Sequence, residues 1–591
     1  MPPQQPTSTL SSAAVLELAC LVGIPIDDHL MAERLVAGAS SAAAAVRALR
    51  ARGTQQALQA RVDDGEPGDY LPLLENLTPK ISAEFARRLT QQPAQPGRLA
   101  PAEVDPCELG LVEVAARLAE RRLRSVDVLQ ALLKRADRVN LRTNCFLSLE
   151  PKSAGARAEL ADALLDEAWR RGREPTTRLL GVPLAHKDMF DREGFVASCG
   201  SRVPGGGVAL RSATVIQRLE LAGAVTVGAL NMAEFALGAT GHNAAFGDCR
   251  NPWNPDYITG GSSSGCGAAV ACAVAFGSLG SDTGGSVRIP AAANGIFGLK
   301  PTYGLIPRTG SMKLSPSIDV IGPFARSVED LACLLQVVAG GDGADTHCSM
   351  RPLPDYLDAV GRAATRGIEG LRLGIPQNYF LDELDASVRA AFERSLALFE
   401  AAGARVVAVR VPAIEWMAEL SRAVVYSEAT ALHASRLRSH AASYTPQVRL
   451  RASLGLAIPS TLHLEALQAR LSVVEEIHRE VFGICDVLLT PTLPIRVPRR
   501  DETDVGAGPD LWPILSKLVR CTAPFNYLGF PALSMPAGFD DRGLPIGMQL
   551  VAAPFAEATL LSAAVIHELS ADRCSSAHTT RAGVATLFPV I

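Results

Sequence analysis

The chain has 591 residues, 48% of them hydrophobic and 20% charged, enough to bury a sizeable core and too apolar for wholesale disorder. A formal net charge of −4 gives no electrostatic footprint for nucleic acid or for an anionic membrane, so neither is expected as a partner. Twelve cysteines without a C-x-x-C pair or a Cys/His cluster at zinc spacing argue against a disulfide scaffold or a metal site and for a cytoplasmic setting.

Residues 1–10 are rich in Pro, Gln, Ser and Thr, lack the basic region of a signal peptide and read as disordered. The apolar stretch Ala13–Ile26 is interrupted by Glu17 and too short to span a bilayer. A helix is predicted over 11–23, stopped by Gly23 and Pro25. A second runs from an Asp27 N-cap to about Arg52, supported by the alanine-rich run at 40–51. A polar turn at 63–69, more helix and a loose linker at 91–106 follow. Residues 1–100 therefore read as a small all-helical extension, an appendage for packing or for forming a homodimer.

From Leu109 onward helices alternate with short apolar strands. Helices are expected near 111–121 and 125–138, and a buried strand over 179–185 runs into Lys187. Then come a helix at 214–222, a strand at 224–227 ending in Gly228, and a small-residue buried helix over 270–279. Strands at 372–375, 406–411, 487–490 and 547–551 and helices at 387–402 and 557–569 continue the pattern. Such alternation predicts an α/β fold with a large, mixed, mostly parallel twisted sheet covered by helices. The catalytic unit is placed at 105–572 and a tail at 573–591.

Three features carry chemistry. Basic residues are nearly all arginine, and lysine occurs only at 80, 134, 152, 187, 300, 313 and 517. Arginine stays protonated in proteins, so a catalytic base cannot follow that bias. Lys187 follows an apolar strand and precedes Met189-Phe190, a setting in which burial can lower its pKa from about 10.4 towards 7–8, a change of roughly 4 kcal/mol. The run Gly260-Gly261-Ser262-Ser263-Ser264-Gly265 could serve as a linker, but it lies inside the best-patterned part of the chain, directly before an apolar segment. Neither GxGxxG nor GxxxxGK[ST] is present, which argues against a nucleotide site. The loop Asp282-Thr283-Gly284-Gly285-Ser286 can turn successive backbone N–H groups towards one point beside a serine hydroxyl. A base, a relay hydroxyl, a nucleophile and an oxyanion site suffice for acyl transfer with no cofactor.

Taken together these motifs resemble the amidase signature family. The spacings of 75 residues from Lys187 to Ser262 and 24 from Ser262 to Ser286 are similar to those of the family. The flanking segments Asn231-Met232-Ala233-Glu234-Phe235, Gly298-Leu299-Lys300-Pro301-Thr302, Leu488-Leu489-Thr490-Pro491-Thr492 and Leu544-Pro545-Ile546-Gly547-Met548-Gln549 extend the likeness over about 105–572. The resemblance implies Ser286 as nucleophile, Ser262 as a bridging cis-serine, Lys187 as base, and Thr283, Gly284, Gly285 and Ser286 as the oxyanion hole. Ala229 and Asn294 depart from common family residues, outside the triad.

The reaction so implied is hydrolysis of the amide C–N bond of a small or medium carboxamide or aryl amide, through an acyl-enzyme. A glutamine-dependent amidotransferase A-type subunit is the main alternative. That subfamily carries an acidic glutamine-recognising motif near Asn526, which is not found in Arg520-Cys521-Thr522-Ala523-Pro524-Phe525. An acyltransferase passing the acyl group to an amine is a further alternative. Residues lining the pocket are expected to include parts of 415–465.

Overall fold

A computed structural model describes residues 10–26, 28–49, 70–77, 105–172 and 177–574. The expected Asp27 cap, the turn at 63–69, nearly all of the linker at 91–106 and all but the first two residues of the tail lie outside these residues.

The strands are β1 (Phe146–Leu149), β2 (Pro183–Lys187), β3 (Val225–Leu230), β4 (Ser278–Asp282), β5 (Phe297–Lys300), β6 (Val320–Ala325), β7 (Arg372–Pro376), β8 (Arg405–Val409), β9 (Val487–Pro491), β10 (Ala532–Phe539) and β11 (Pro545–Ala552). Eight of them form one sheet in the order β4-β6-β5-β10-β11-β9-β7-β8, and the rest form a small sheet, β1-β3-β2. The α/β class and the large mixed sheet agree with the sequence reading. The expectation of a mostly parallel sheet does not hold: five of the seven pairings in the large sheet are antiparallel, and only β7 with β8 and β7 with β9 are parallel. The reason is local. β10 and β11 are joined by a tight turn at 540–544, and β5 reaches β6 through a loop, so neither connection has the crossover helix that parallel pairing requires.

The expected helix over 270–279 is also corrected. The helix is Ser264–Ala271, and the chain then turns and enters β4 at Ser278. Every side chain from Ser264 to Asp282 is buried, so apolar content alone could not separate buried helix from buried strand. Gly228, read as a strand end, lies inside β3. A Cβ there would fall 2.1 Å from the Ser148 carbonyl oxygen, and glycine lets β1 pair with β3.

Helices cover the large sheet. Arg288–Asn294 sits against β10 and β11, and Glu557–Cys574 packs on β11 and on Tyr356–Arg366. At Gly547 and Gly298 the backbones come so close that an added Cβ would lie 2.4 Å from Ala292 Cβ and 2.7 Å from Ala291 Cβ. The N-terminal helices Ser12–Leu21 and His29–Leu49 form as expected, and the second packs on the long helix Ile414–His440. Its contact face is small or apolar: Leu35, Gly38, Ala39, Ala42, Ala43 and Val46 are buried.

Candidate active site

Lys187 ends β2, and its amine is buried, at 1% exposure. Its Nζ donates to Ser262 Oγ at 2.8 Å and to Ser281 Oγ at 2.9 Å. Burial pushes its pKa down to about 8, against the opposing pull of Asp282 and Asp319. The strand that carries it is tied to β4 of the other sheet by His186, whose Nδ1 accepts the Leu279 N–H at 3.1 Å. That role requires a neutral imidazole, and burial holds the His186 pKa down at about 3.

Ser262 stands in the glycine-serine run, and the Gly261–Ser262 peptide bond is cis. The run is a packed turn rather than a linker. Gly261 donates its N–H to the Ala239 carbonyl at 2.9 Å, and the Ser262 carbonyl accepts from Ala233 at 3.0 Å. At Gly265 a Cβ would lie 2.4 Å from the Cys145 carbonyl oxygen, so a larger residue has no space. Ser263 Oγ donates to the Ser281 carbonyl at 3.2 Å, which joins this run to β4.

The loop after β4 is built around a buried ion pair. Asp282 receives the Arg288 guanidinium at 2.9 and 3.0 Å, the Asn526 side-chain amide at 2.7 Å, and the N–H groups of Gly285 and Val287 at 2.7 and 3.0 Å. Burial alone would raise its pKa, but Arg288 and these donors outweigh it and hold the carboxyl well below its usual range. Thr283 Oγ1 donates to Asp319 at 2.6 Å, and Thr522 Oγ1 donates to the Gly284 carbonyl at 2.7 Å. Gly285 has φ +131°, and a Cβ there would meet Thr522 Oγ1 at 2.3 Å. One expectation is corrected here: the Gly285 N–H is taken by Asp282 and is not offered to a ligand. The N–H groups of Thr283, Gly284 and Ser286 have no acceptor among the described residues.

Ser286 is partly exposed and opens, with Thr283 and Gly284, into a cavity of about 460 Å³. Most of the remaining wall comes from Ile414–His440 and Leu511–Val519, through Glu415, Glu419, Arg422, Tyr426, Trp512 and Lys517 among others, with Arg451 from Pro446–Ala452. The expected contribution of 415–465 is present. Ser281 and His186 were missed by the sequence reading. The strand before Lys187 was expected to end at residue 185, with a helix at 270–279, so neither residue was placed in a strand. Asn294, a departure from the family pattern, donates to the carbonyls of Thr259 and Pro290 at 2.8 and 2.7 Å and so braces the approach to the glycine-serine run.

A buried lysine bonded to a serine on a glycine-framed cis turn, together with a second serine at a cavity mouth, suits an enzyme acting on amide C–N bonds. The amidase family model matches residues 127–561, and the chain belongs to the amidase signature family. Among curated relatives it is 36% identical over 478 residues to the A-type subunit of the glutamyl-tRNA(Gln) amidotransferase of Roseiflexus sp. (strain RS-1), covering 77% of this chain and 94% of that one. Among solved structures, a protein described only as an amidase aligns with TM-score 0.68 and 31% identity, over 78% of this chain and 99% of its own. An inhibitor-bound member of a vestigial complex linked to the origins of an s-triazine catabolic enzyme aligns with TM-score 0.71 and 32% identity, over 78% and 99%.

Proposed function

We propose that the chain is an amidohydrolase that cleaves a small or medium carboxamide or aryl amide through an acyl-enzyme on Ser286. The observation that carries this reading is the buried Lys187 amine, with basicity lowered towards neutrality and a 2.8 Å hydrogen bond to Ser262. Neutral Lys187 takes a proton through Ser262 as Ser286 Oγ forms a bond to the amide carbon. The oxyanion is met by the N–H groups of Thr283, Gly284 and Ser286, and each such donor contributes about 10²–10³-fold. The proton returns along the relay to the leaving nitrogen, the C–N bond breaks, and the amine departs neutral. Water, deprotonated by the same relay, then releases the carboxylic acid and restores Ser286.

A glutamine-dependent amidotransferase A-type subunit is the second reading. The curated relatives favour it over a free-standing amidase, because the Roseiflexus relative is named as such a component. Against it, the segment 520–525 brings Arg520 and Ala523 to the cavity and no carboxylate, where the resemblance implies an acidic glutamine-recognising motif. Transfer of the acyl group to an amine shares every step up to the acyl-enzyme.

Peptide mass spectrometry after fluorophosphonate treatment tests the common core. A single adduct on Ser286, lost in Lys187→Ala, is expected, and its absence from the wild type overturns all three readings. Ammonia release from glutamine together with co-purifying partner proteins would select the amidotransferase. Hydroxamate formation exceeding hydrolysis in the presence of hydroxylamine would select the acyltransferase.

A further inference from the structure

The cavity that opens at Ser286 borrows support from a helix that precedes the family-matched region. His29–Leu49 touches the wall at two points three residues apart, which share one helix face. At the first, Ser41 Oγ donates to Glu419 Oε2. Glu419 pairs with Arg422 at 3.1 Å, and Arg422 donates to Ser516 Oγ at 2.8 Å. The second is steric: a Cβ on Gly38 would lie 2.8 Å from two ring atoms of Trp512 and 2.9 Å from Leu454 Cδ1. The two points converge, because the Arg422 guanidinium lies 5.1 Å from the centre of the Trp512 ring. Glu419, Arg422, Ser516 and Trp512 all line the cavity.

We infer that the N-terminal helix governs substrate selectivity. Ser41 and Gly38 are positioning residues that hold the Glu419–Arg422 pair and the Trp512 ring in the wall receiving the uncleaved part of the substrate. The inference rests on the proposed function for Ser286 as the reacting atom. Without the Ser41 hydroxyl, Glu419 Oε2 loses a neutral donor from outside the cavity, and the pair is free to turn and change the charge the wall presents. Any side chain at residue 38 must displace the indole or Leu454, since both lie within 3 Å of an added Cβ. The predicted substrate therefore has a flat or apolar portion that fits beside Trp512, and selectivity for that portion, rather than the chemical step, depends on the helix.

The test compares second-order labelling rates of Ser286 with a methyl fluorophosphonate and with a bulky aryl fluorophosphonate. It uses the full chain and its Ser41→Ala, Ser41→Thr and Gly38→Ala variants. The small probe should label all four within about twofold. The ratio of aryl to methyl rates should shift by about five- to tenfold in Ser41→Ala and Gly38→Ala, the effect of one lost hydrogen bond or a displaced ring, and return towards wild type in Ser41→Thr. An unchanged ratio in both Ser41→Ala and Gly38→Ala overturns the inference while leaving the nucleophile assigned. If the wild type takes neither probe, the proposed function fails, and the wall is read from Trp512 emission, isolated by difference from Trp512→Phe. Stronger acrylamide quenching in Ser41→Ala would then sustain the positioning role, and equal quenching would overturn it.

Discussion

Lys187 and Lys300 are both buried, and burial lowers both, to about 8 and about 7. What they touch separates them. Lys187 bonds two serine hydroxyls, whereas Lys300 donates to the adjoining Pro301 carbonyl at 2.9 Å. A base must be neutral to act, so the rate of Ser286 labelling should climb about tenfold per pH unit below 8 and level off above it. Lys300→Met should keep that inflection, and Lys187→Met should abolish labelling. An inflection that moved with Lys300 would reassign the base. The same shift has a stability consequence. The Lys187 pKa is about 8 folded and 10.5 unfolded, so the unfolded chain binds more protons between those values. The penalty for burying this amine is thus fully present below pH 8 and is relieved as pH rises towards 10.5. Ser281→Ala removes one of the two hydroxyls on the amine and should slow labelling by roughly two- to tenfold, whereas Ser286→Ala should take no adduct at all. Lys187, Ser262 and Ser286, the proposed triad, were named from motif and spacing. Ser281 could not be, because a serine in a buried strand carries no signal until the strand's neighbours are known.

The loop from Asp282 to Arg288 shows what an element must do to hold the proposed nucleophile. Its backbone is fixed from inside by one carboxylate that binds three N–H groups and a guanidinium, all fully buried. Asp282→Asn keeps the volume but leaves Arg288 as an uncompensated buried charge. It should cost about 3–5 kcal/mol of stability, measured by urea denaturation, together with loss of labelling. Since the Asp282 pKa is depressed in the folded state, the stability it contributes is present above the ordinary carboxylate pKa and is lost as pH falls through and below it. Gly285→Ala should lose labelling with a smaller loss of stability, since φ +131° and the Thr522 hydroxyl both exclude a Cβ but the buried ion pair stays intact. At this scale the sequence was half legible. β2, β3, β7, β8, β9 and β11 were visible as apolar runs. β5, β6 and β10 were not, because glycine and proline interrupt Phe297–Lys300, Val320–Ala325 and Ala532–Phe539, and those residues ordinarily mark turns. Missing these three strands, and reading the start of β4 as helix, is what made the sheet look parallel.

Across the whole molecule, the N-terminal extension shares the hydrophobic core of the catalytic fold. Tyr70 is buried against Tyr303, with ring centres 5.5 Å apart, and the Arg470 guanidinium lies 3.5 Å over its ring. Leu35 and Leu74 are fully buried. Thermal unfolding should therefore be a single cooperative transition, and removal of residues 1–104 should yield an aggregating chain rather than a trimmed enzyme. Two separable calorimetric transitions would show instead that the extension is an independent module. The helices at 12–21 and 29–49 were legible from propensity and stop signals, but their docking was not, because an alanine-rich face does not announce its partner.

The uneven distribution of amines has a practical outcome. Lys134, Lys152, Lys313 and Lys517 are exposed, while Lys187 and Lys300 lie sealed in the interior. Acylating reagents and amine-reactive resins should thus decorate or tether the outside of the folded enzyme while sparing Lys187, the proposed base. Lys517, at the cavity rim, is the exposed amine whose capture should impede entry of substrate.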